Sequence, residues 1–132
     1  MSESPSKPAK KSILVVDDEP NVLSMIGMLL THEGYDVKCV GDAFDAMRLF
    51  RQRSWDAVIT DRTMPGLNGE DLAAQIRAHR ADLPILMLTG TGQPQRPELF
   101  CAILRKPFLV TELRQWVSRA LQGPATDCAA AA

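Results

Sequence analysis

Short, unbroken aliphatic runs recur between segments of helical length, and no other feature limits the possible folds of this chain so tightly. Ile13–Val16 is four aliphatic residues in a row, and Ala57–Thr60 and Pro84–Leu88 are further β-prone runs. A strand with one wet face alternates apolar and polar side chains; a strand covered on both faces reads as a continuous apolar run. Bounded by turn residues, these runs predict buried strands. Asp36–Val40 and the pair Ile103-Leu104 read as a second and a fifth strand.

The intervening segments carry helical periodicity. From Pro20 to about His32, Val22, Met25, Ile26, Leu29 and Leu30 form one stripe. Pro20 at the first helical position, behind Asp17-Asp18-Glu19, marks the start. Asp42 reads as the cap of a second helix to about Arg53, with Ala46, Met47 and Phe50 inward. Gly69–His79 is a third, burying Leu72 and Ile76, and Thr111–Leu121 is the last, with Leu113, Trp116, Val117 and Ala120 on its stripe before Gly123-Pro124. Strands and helices in alternation predict a parallel sheet covered on both faces, wound by right-handed crossovers.

With 132 residues the chain is expected to form one domain over 12–122, preceded by a disordered lead-in over 1–11 and followed by a flexible tail over 123–132. Fifteen basic residues against sixteen acidic ones leave a net charge of −1, which gives no footprint for nucleic acid or for an anionic membrane. No apolar run reaches transmembrane length and Met1–Ser12 has no apolar signal core, so a cytoplasmic location is expected. Cys39, Cys101 and Cys128 are odd in number and lack metal spacing, which suits free thiols in a reducing compartment. His32 and His79 fall near helix C-termini, where imidazole complements the dipole.

Four strands end in polar residues: Asp17 and Asp18, then Asp61 ahead of a Met64-Pro65-Gly66 turn, then Thr89, then Lys106. Each alone has a structural explanation as a cap, a turn residue or a solvated base. Their convergence on the carboxyl edge of one parallel sheet, where open α/β folds bind ligands, is what carries information. Crowded carboxylates raise one another's pKa, and a divalent cation relieves the repulsion. An oxygen-only site with one or two carboxylates suits Mg²⁺. Asp61 could then attack phosphorus as a nucleophile, with Mg²⁺ and Lys106 neutralising the moving phosphoryl group and Thr89 donating to its oxygen.

D-D-E-P after the first strand, D-R-T-M-P-G after the third, L-T-G after the fourth and R-K-P-F after the fifth together resemble a response-regulator receiver domain of two-component signalling, CheY-like, from about Lys11 to Gly123. The resemblance implies a flavodoxin-like (βα)5 doubly wound sheet of order 2-1-3-4-5. It implies Asp61 as phosphoacceptor, and Asp17, Asp18, Asp61 and the Thr63 backbone carbonyl as the Mg²⁺ site, with Asp18 bound directly and Asp17 through water. Thr89 and Lys106 would be the switch hydroxyl and the phosphate-binding lysine, and Thr63 and Thr91 lie where the family tunes access of hydrolytic water. Such a domain takes phosphate from a phosphohistidine on a sensor histidine kinase or a histidine phosphotransfer protein. It is no enzyme beyond its own phosphorylation and dephosphorylation. The partner is expected to dock near the first helix, where Ser24, Gly27, Met28 and Thr31 form a small, nearly uncharged face.

Two departures matter. Ile103 stands three residues before the lysine, where receivers usually carry an aromatic ring, and only sixteen residues separate Thr89 from Lys106. Pro94 and Pro97 fall within that interval, and an interior proline costs a helix about 3 kcal/mol, so the fourth helix is expected to be short, irregular or missing. That helix belongs to the family's output face. The expectation is therefore a monomer or weak dimer that passes phosphate on or sinks it, as a single-domain regulator or the receiver part of a hybrid kinase. The competing reading is a pseudo-receiver, a binding module of the same fold without phosphorylation. A haloacid-dehalogenase-type phosphatase would want a second aspartate where Thr63 stands, and a flavodoxin would want a hydroxyl-rich loop in place of Asp17-Asp18-Glu19.

Overall fold

A computed structural model of the chain describes residues 10–63, 68–90 and 92–122. Its elements in order are β1 (Ser12–Val16), α1 (Pro20–His32), β2 (Asp36–Val40), α2 (Ala43–Gln52), β3 (Ala57–Asp61), α3 (Gly69–His79), β4 (Ile85–Thr89), a 3-10 turn (Pro97–Leu99), β5 (Ala102–Arg105) and α4 (Val110–Gln122). All strand pairs are parallel, as the alternation predicts, and the order is β2-β1-β3-β4-β5, as the resemblance implies. The expectations placed on Met64, Pro65, Gly66, Thr91, Gly123, Pro124, Cys128, the lead-in up to residue 9 and the tail from residue 123 lie outside the described residues.

Successive side chains of a strand point to opposite faces, so an unbroken aliphatic strand feeds two cores at once. Leu14, Val16, Val58 and Met87 pack with Ala46, Met47, Phe50, Leu72 and Ile76 of α2 and α3. Ile13, Val15, Ile59, Leu86 and Leu88 pack with Ile26, Leu30, Leu113 and Val117 of α1 and α4. Each fully buried aliphatic side chain contributes about 1.5–3 kcal/mol. The central strand β3 is buried along its whole length, Asp61 included.

Local signals set the element ends. Asp42 and Asn68 cap α2 and α3 by accepting from the amides of Asp45 and Asp71, each at 2.8 Å. Gly69 begins α3 where the helix meets the end of β3; a Cβ there would lie 2.2 Å from the Asp61 carbonyl oxygen. Gly27 answers a similar demand. A Cβ on it would stand 3.0 Å from Cys39 Sγ, a tight fit that the thiol would have to yield to by a few tenths of an ångström.

Some expectations are corrected. The fourth strand starts at Ile85 and takes in Thr89, and Asp61 is the last residue of β3, not the first beyond it. On α1 only Ile26 and Leu30 are fully buried; Met25, at 37% exposed, lies at the margin of the stripe. Cys39 is free as expected, but Cys101 is disulfide-bonded and not the free thiol expected.

Between β4 and β5 the chain forms one 3-10 turn in place of an α-helix, in keeping with Pro94 and Pro97. Backbone groups that a helix would satisfy internally need other partners. Arg77 on α3 supplies one to this connection, at Leu99, and also ties down the turn from α3 to β4. Its Nε and Nη2 donate to the Leu99 carbonyl at 3.1 and 2.9 Å, and Nη1 donates to the carbonyls of Ala81, at 3.0 Å, and Leu83. Burial lowers the Arg77 pKa, with the Asp82 charge opposing. Charge-assisted bonds of this kind contribute about 1.5–3 kcal/mol each, net. Arg77→Ala is expected to destabilise the chain by roughly 2–4 kcal/mol, read as a lower urea midpoint at unchanged slope.

Candidate phosphoryl and metal site

The carboxyl ends of β1, β3, β4 and β5 meet at one edge of the sheet, because parallel pairing brings Asp61 level with Leu88 and Thr89 level with Arg105. A cleft of about 240 Å³ opens there, lined by Glu19, Asp61, Thr63, Thr89, Gly90 and Lys106. Asp17, Asp61 and Thr89 are buried, and Lys106 is partly buried.

Lys106 organises the charges. Its Nζ lies 2.9 Å from Asp17 Oδ2, 2.6 Å from Glu19 Oε1 and 3.5 Å from Asp61 Oδ2. Its amide donates to the Thr89 carbonyl at 2.7 Å, which fixes the root of the side chain to β4. Burial disfavours the ammonium, but Asp17, Glu19 and Asp61 outweigh it, and the pKa is pushed up. Lys106 therefore stays cationic throughout the physiological range.

Asp61 is restrained on its other side. The Arg62 amide donates to Oδ1 at 2.8 Å and also to the Leu88 carbonyl at 2.9 Å. Asp17 Oδ1 accepts from the Glu19 amide at 2.9 Å. Desolvation first, then the Asp17 charge, raise the Asp61 pKa to about 6; Lys106 and the Arg62 amide oppose, and Asp18 adds a smaller upward push.

Oxygens of Asp17, Glu19 and Asp61 all lie within 4.8 Å of one another, a spacing that can hold a metal ion. Asp17 Oδ2 accepts no aligned hydrogen bond among the described residues despite its burial. An oxygen-only donor set with a spare buried lone pair fits a hard cation such as Mg²⁺. Asp17, Asp61, Thr63, Thr89 and Lys106 are thus brought together. The Asp18 side chain is exposed and stands outside the cluster of three, although its charge reaches Asp61. Glu19 takes the third place, which its sequence position as a helix-start acid did not announce. Ile103 is half-buried and packs against the α2/α3 core.

This sheet order and this constellation define a receiver-type phosphorylation module. The family model for the response regulator receiver domain matches residues 13–118, and the chain belongs to that family. The transcriptional regulatory protein TcrA of Mycobacterium tuberculosis is 39% identical over 80 residues, covering 61% of this chain and 32% of that protein. The chain spans about a third of the length of the curated relatives it matches. The response regulator TrrA of Thermotoga maritima, solved with Mg²⁺ and BeF, superposes with a TM-score of 0.79 at 32% identity, covering 84% of this chain and 99% of that one. In the complex of the histidine kinase ThkA with TrrA the matching chain gives a TM-score of 0.78 at 32% identity, covering 84% and 98%.

The raised Asp61 pKa has a defined consequence for stability. A carboxyl whose folded pKa lies above its unfolded value of 3.8 favours the fold most below that value, and the benefit is lost as pH rises through about 6. With EDTA present, Asp61→Asn should match the parent near pH 4 and exceed it by on the order of 3 kcal/mol above pH 7. Denaturant titrations at several pH values read the difference.

Proposed function

We propose that this chain is a Mg²⁺-dependent phosphoacceptor of a two-component or phosphorelay system, and that Asp61 is the residue phosphorylated. The observation that carries the proposal is a buried nucleophilic carboxylate, Asp61, flanked by acids that suit a cation and faced by the Lys106 ammonium 3.5 Å from Oδ2.

The chemistry runs from these groups. Asp61 Oδ2 attacks the phosphorus of a phosphohistidine; the new O–P bond forms as the N–P bond breaks, and the imidazole nitrogen leaves with its electron pair and takes a proton. Arg62's amide holds Oδ1, which leaves Oδ2 as the attacking oxygen. Lys106 compensates the arriving charge and must loosen its hold on Glu19 to do so. The Thr89 hydroxyl stands in the cleft wall to donate to a phosphoryl oxygen. Asp17, Asp18, Asp61 and the Thr63 carbonyl would hold the cation, with Glu19 close by, and the cation supplies charge neutralisation at the transferring oxygens.

The donor is a sensor histidine kinase or a histidine phosphotransfer protein in the cytoplasm. Its docking surface on this reading is α1, where Ser24, Gly27, Met28 and Thr31 line an open apolar groove with Leu23 and Cys39. Met28 is 74% exposed there, an apolar anchor free to meet a partner helix. The kinase complex of the similar regulator TrrA supports a partner of this class. No helix among the described residues is long and apolar enough to cross a membrane. The receiver unit, 12–122, serves either as a free-standing regulator or as part of a hybrid kinase. With a 3-10 turn at the family's output face, it is read as passing phosphate on or sinking it.

Incubation with acetyl phosphate and Mg²⁺ should give a single phosphate adduct by intact mass, absent in Asp61→Asn; an adduct retained in that variant would reject Asp61 as the acceptor. Mg²⁺ alone should raise the melting temperature, by an amount equivalent to about 2.7 kcal/mol at one hundred times its dissociation constant. Asp17→Asn should remove most of that gain, which calorimetry at fixed ionic strength checks.

A further inference from the structure

The strongest group that the phosphoryl chemistry does not use is Glu70, a carboxylate only 6% exposed at the start of α3. Buried carboxylates are held by partners, and this one is shared between two arginines from different segments. Its Oε1 accepts from the Arg96 amide at 2.6 Å, which pins the β4–β5 connection to α3. Its Oε2 faces Arg62 Nε at 3.6 Å, too long for a good hydrogen bond. Arg62 Nε is correspondingly buried with no hydrogen-bond acceptor among the described residues.

Arg62 is tied to the site at its other end. Its amide donates to Asp61 Oδ1, and one guanidinium nitrogen lies 3.6 Å from where a Cβ on Gly92 would stand. Gly92, with φ +75°, occupies a backbone conformation that a side chain disfavours, so the arginine lies against bare backbone of the connection. Arg96 has its own alternative. Its Nη2 rests 3.4 Å from the Glu70 carbonyl and 3.3 Å from Asp71 Oδ1, contacts loose enough to exchange.

We propose that Glu70 is a charge-exchange latch that couples Asp61 to the β4–β5 connection, with Arg62 as the responding side chain. The proposal rests on the phosphoacceptor reading above. A phosphoryl group on Asp61 Oδ2 adds negative charge one residue from Arg62, on the carboxylate whose Oδ1 its amide holds. Arg62 turns toward that charge, and its weak contact with Glu70 is the first to go. A buried carboxylate without its counter-charge must find another. Glu70 then draws the Arg96 guanidinium inward from Asp71 and tightens on the Arg96 amide. The connection changes state without an aromatic ring at position 103 and without a helix to carry the shift.

Hydrogen–deuterium exchange on the full chain tests this, with Mg²⁺ alone and with Mg²⁺ plus beryllofluoride as phosphoryl mimic; fluorine NMR reports whether the mimic is bound. In the parent chain the Arg96 amide should exchange several-fold more slowly once the mimic binds. Arg62→Ala should show the slow rate from the outset with no further change, while Arg62→Lys retains part of the response. Glu70→Gln keeps an acceptor for the Arg96 amide but loses the charge, and should exchange fast in both conditions. A bound mimic with an unchanged Arg96 rate in the parent, or a full response in Arg62→Ala, overturns the latch and leaves the phosphoacceptor reading standing. A parent chain that binds no mimic overturns both.

Discussion

Three carboxylates face a single ammonium at the carboxyl edge of the sheet, and the rest of the structure is arranged to make that tolerable. Lys106 reaches Asp17, Glu19 and Asp61 within 3.5 Å, one positive charge among three negative ones. In water such a cluster would drift apart; here each backbone is fixed by a buried parallel strand or by the turn that leaves it. Burial first, then repulsion from Asp17, raise the Asp61 pKa to about 6, which marks a shortage of positive charge around it. That residual negative imbalance favours a cation at this edge of the sheet; a cluster with matched charges would be more stable and would favour none.

The supporting scaffold works through close approaches. Gly69 lets α3 begin against the Asp61 carbonyl, so the strand end that carries Asp61 is braced by a helix terminus. Gly27 lets α1 lie against Cys39 on β2, which sets the depth of the α1 groove. Cys39 itself is a free, exposed thiol in the groove wall, and partial burial raises its pKa. The same few contacts thus shape both regions, and a packing change at either glycine would be felt at the carboxyl-edge cleft or at the α1 groove.

The strands, the helices and most of the site were legible in the sequence for a physical reason. Strands covered on both faces need uninterrupted aliphatic residues, and Ile13–Val16 or Ile85–Leu88 have few other uses. Asp61, Thr89 and Lys106 were legible by position, since the fold brings the carboxyl ends of its strands to one edge. Glu19, Glu70, Arg62 and Arg77 were not. Charged residues on helix starts and loops are commonplace, and only coordinates reveal that Glu70 is buried or that Arg77 reaches three carbonyl groups. The margin of the α1 stripe failed for a similar reason. Periodicity locates an apolar face but not how far the neighbouring elements extend over it, and Met25 lies beyond their reach.

The connection from β4 to β5 spans residues 90–101, close to the dozen residues that a parallel crossover requires at minimum. A longer link would coil its surplus into a helix and absorb a shift at one end before it reached the other. This one has little slack. It starts at Thr89 in the same cleft as Asp61, and Arg77 and Glu70 hold it at Leu99 and Arg96. Without a helix of its own, the segment lacks internal hydrogen bonds of that kind, and its position depends on what α3 offers it.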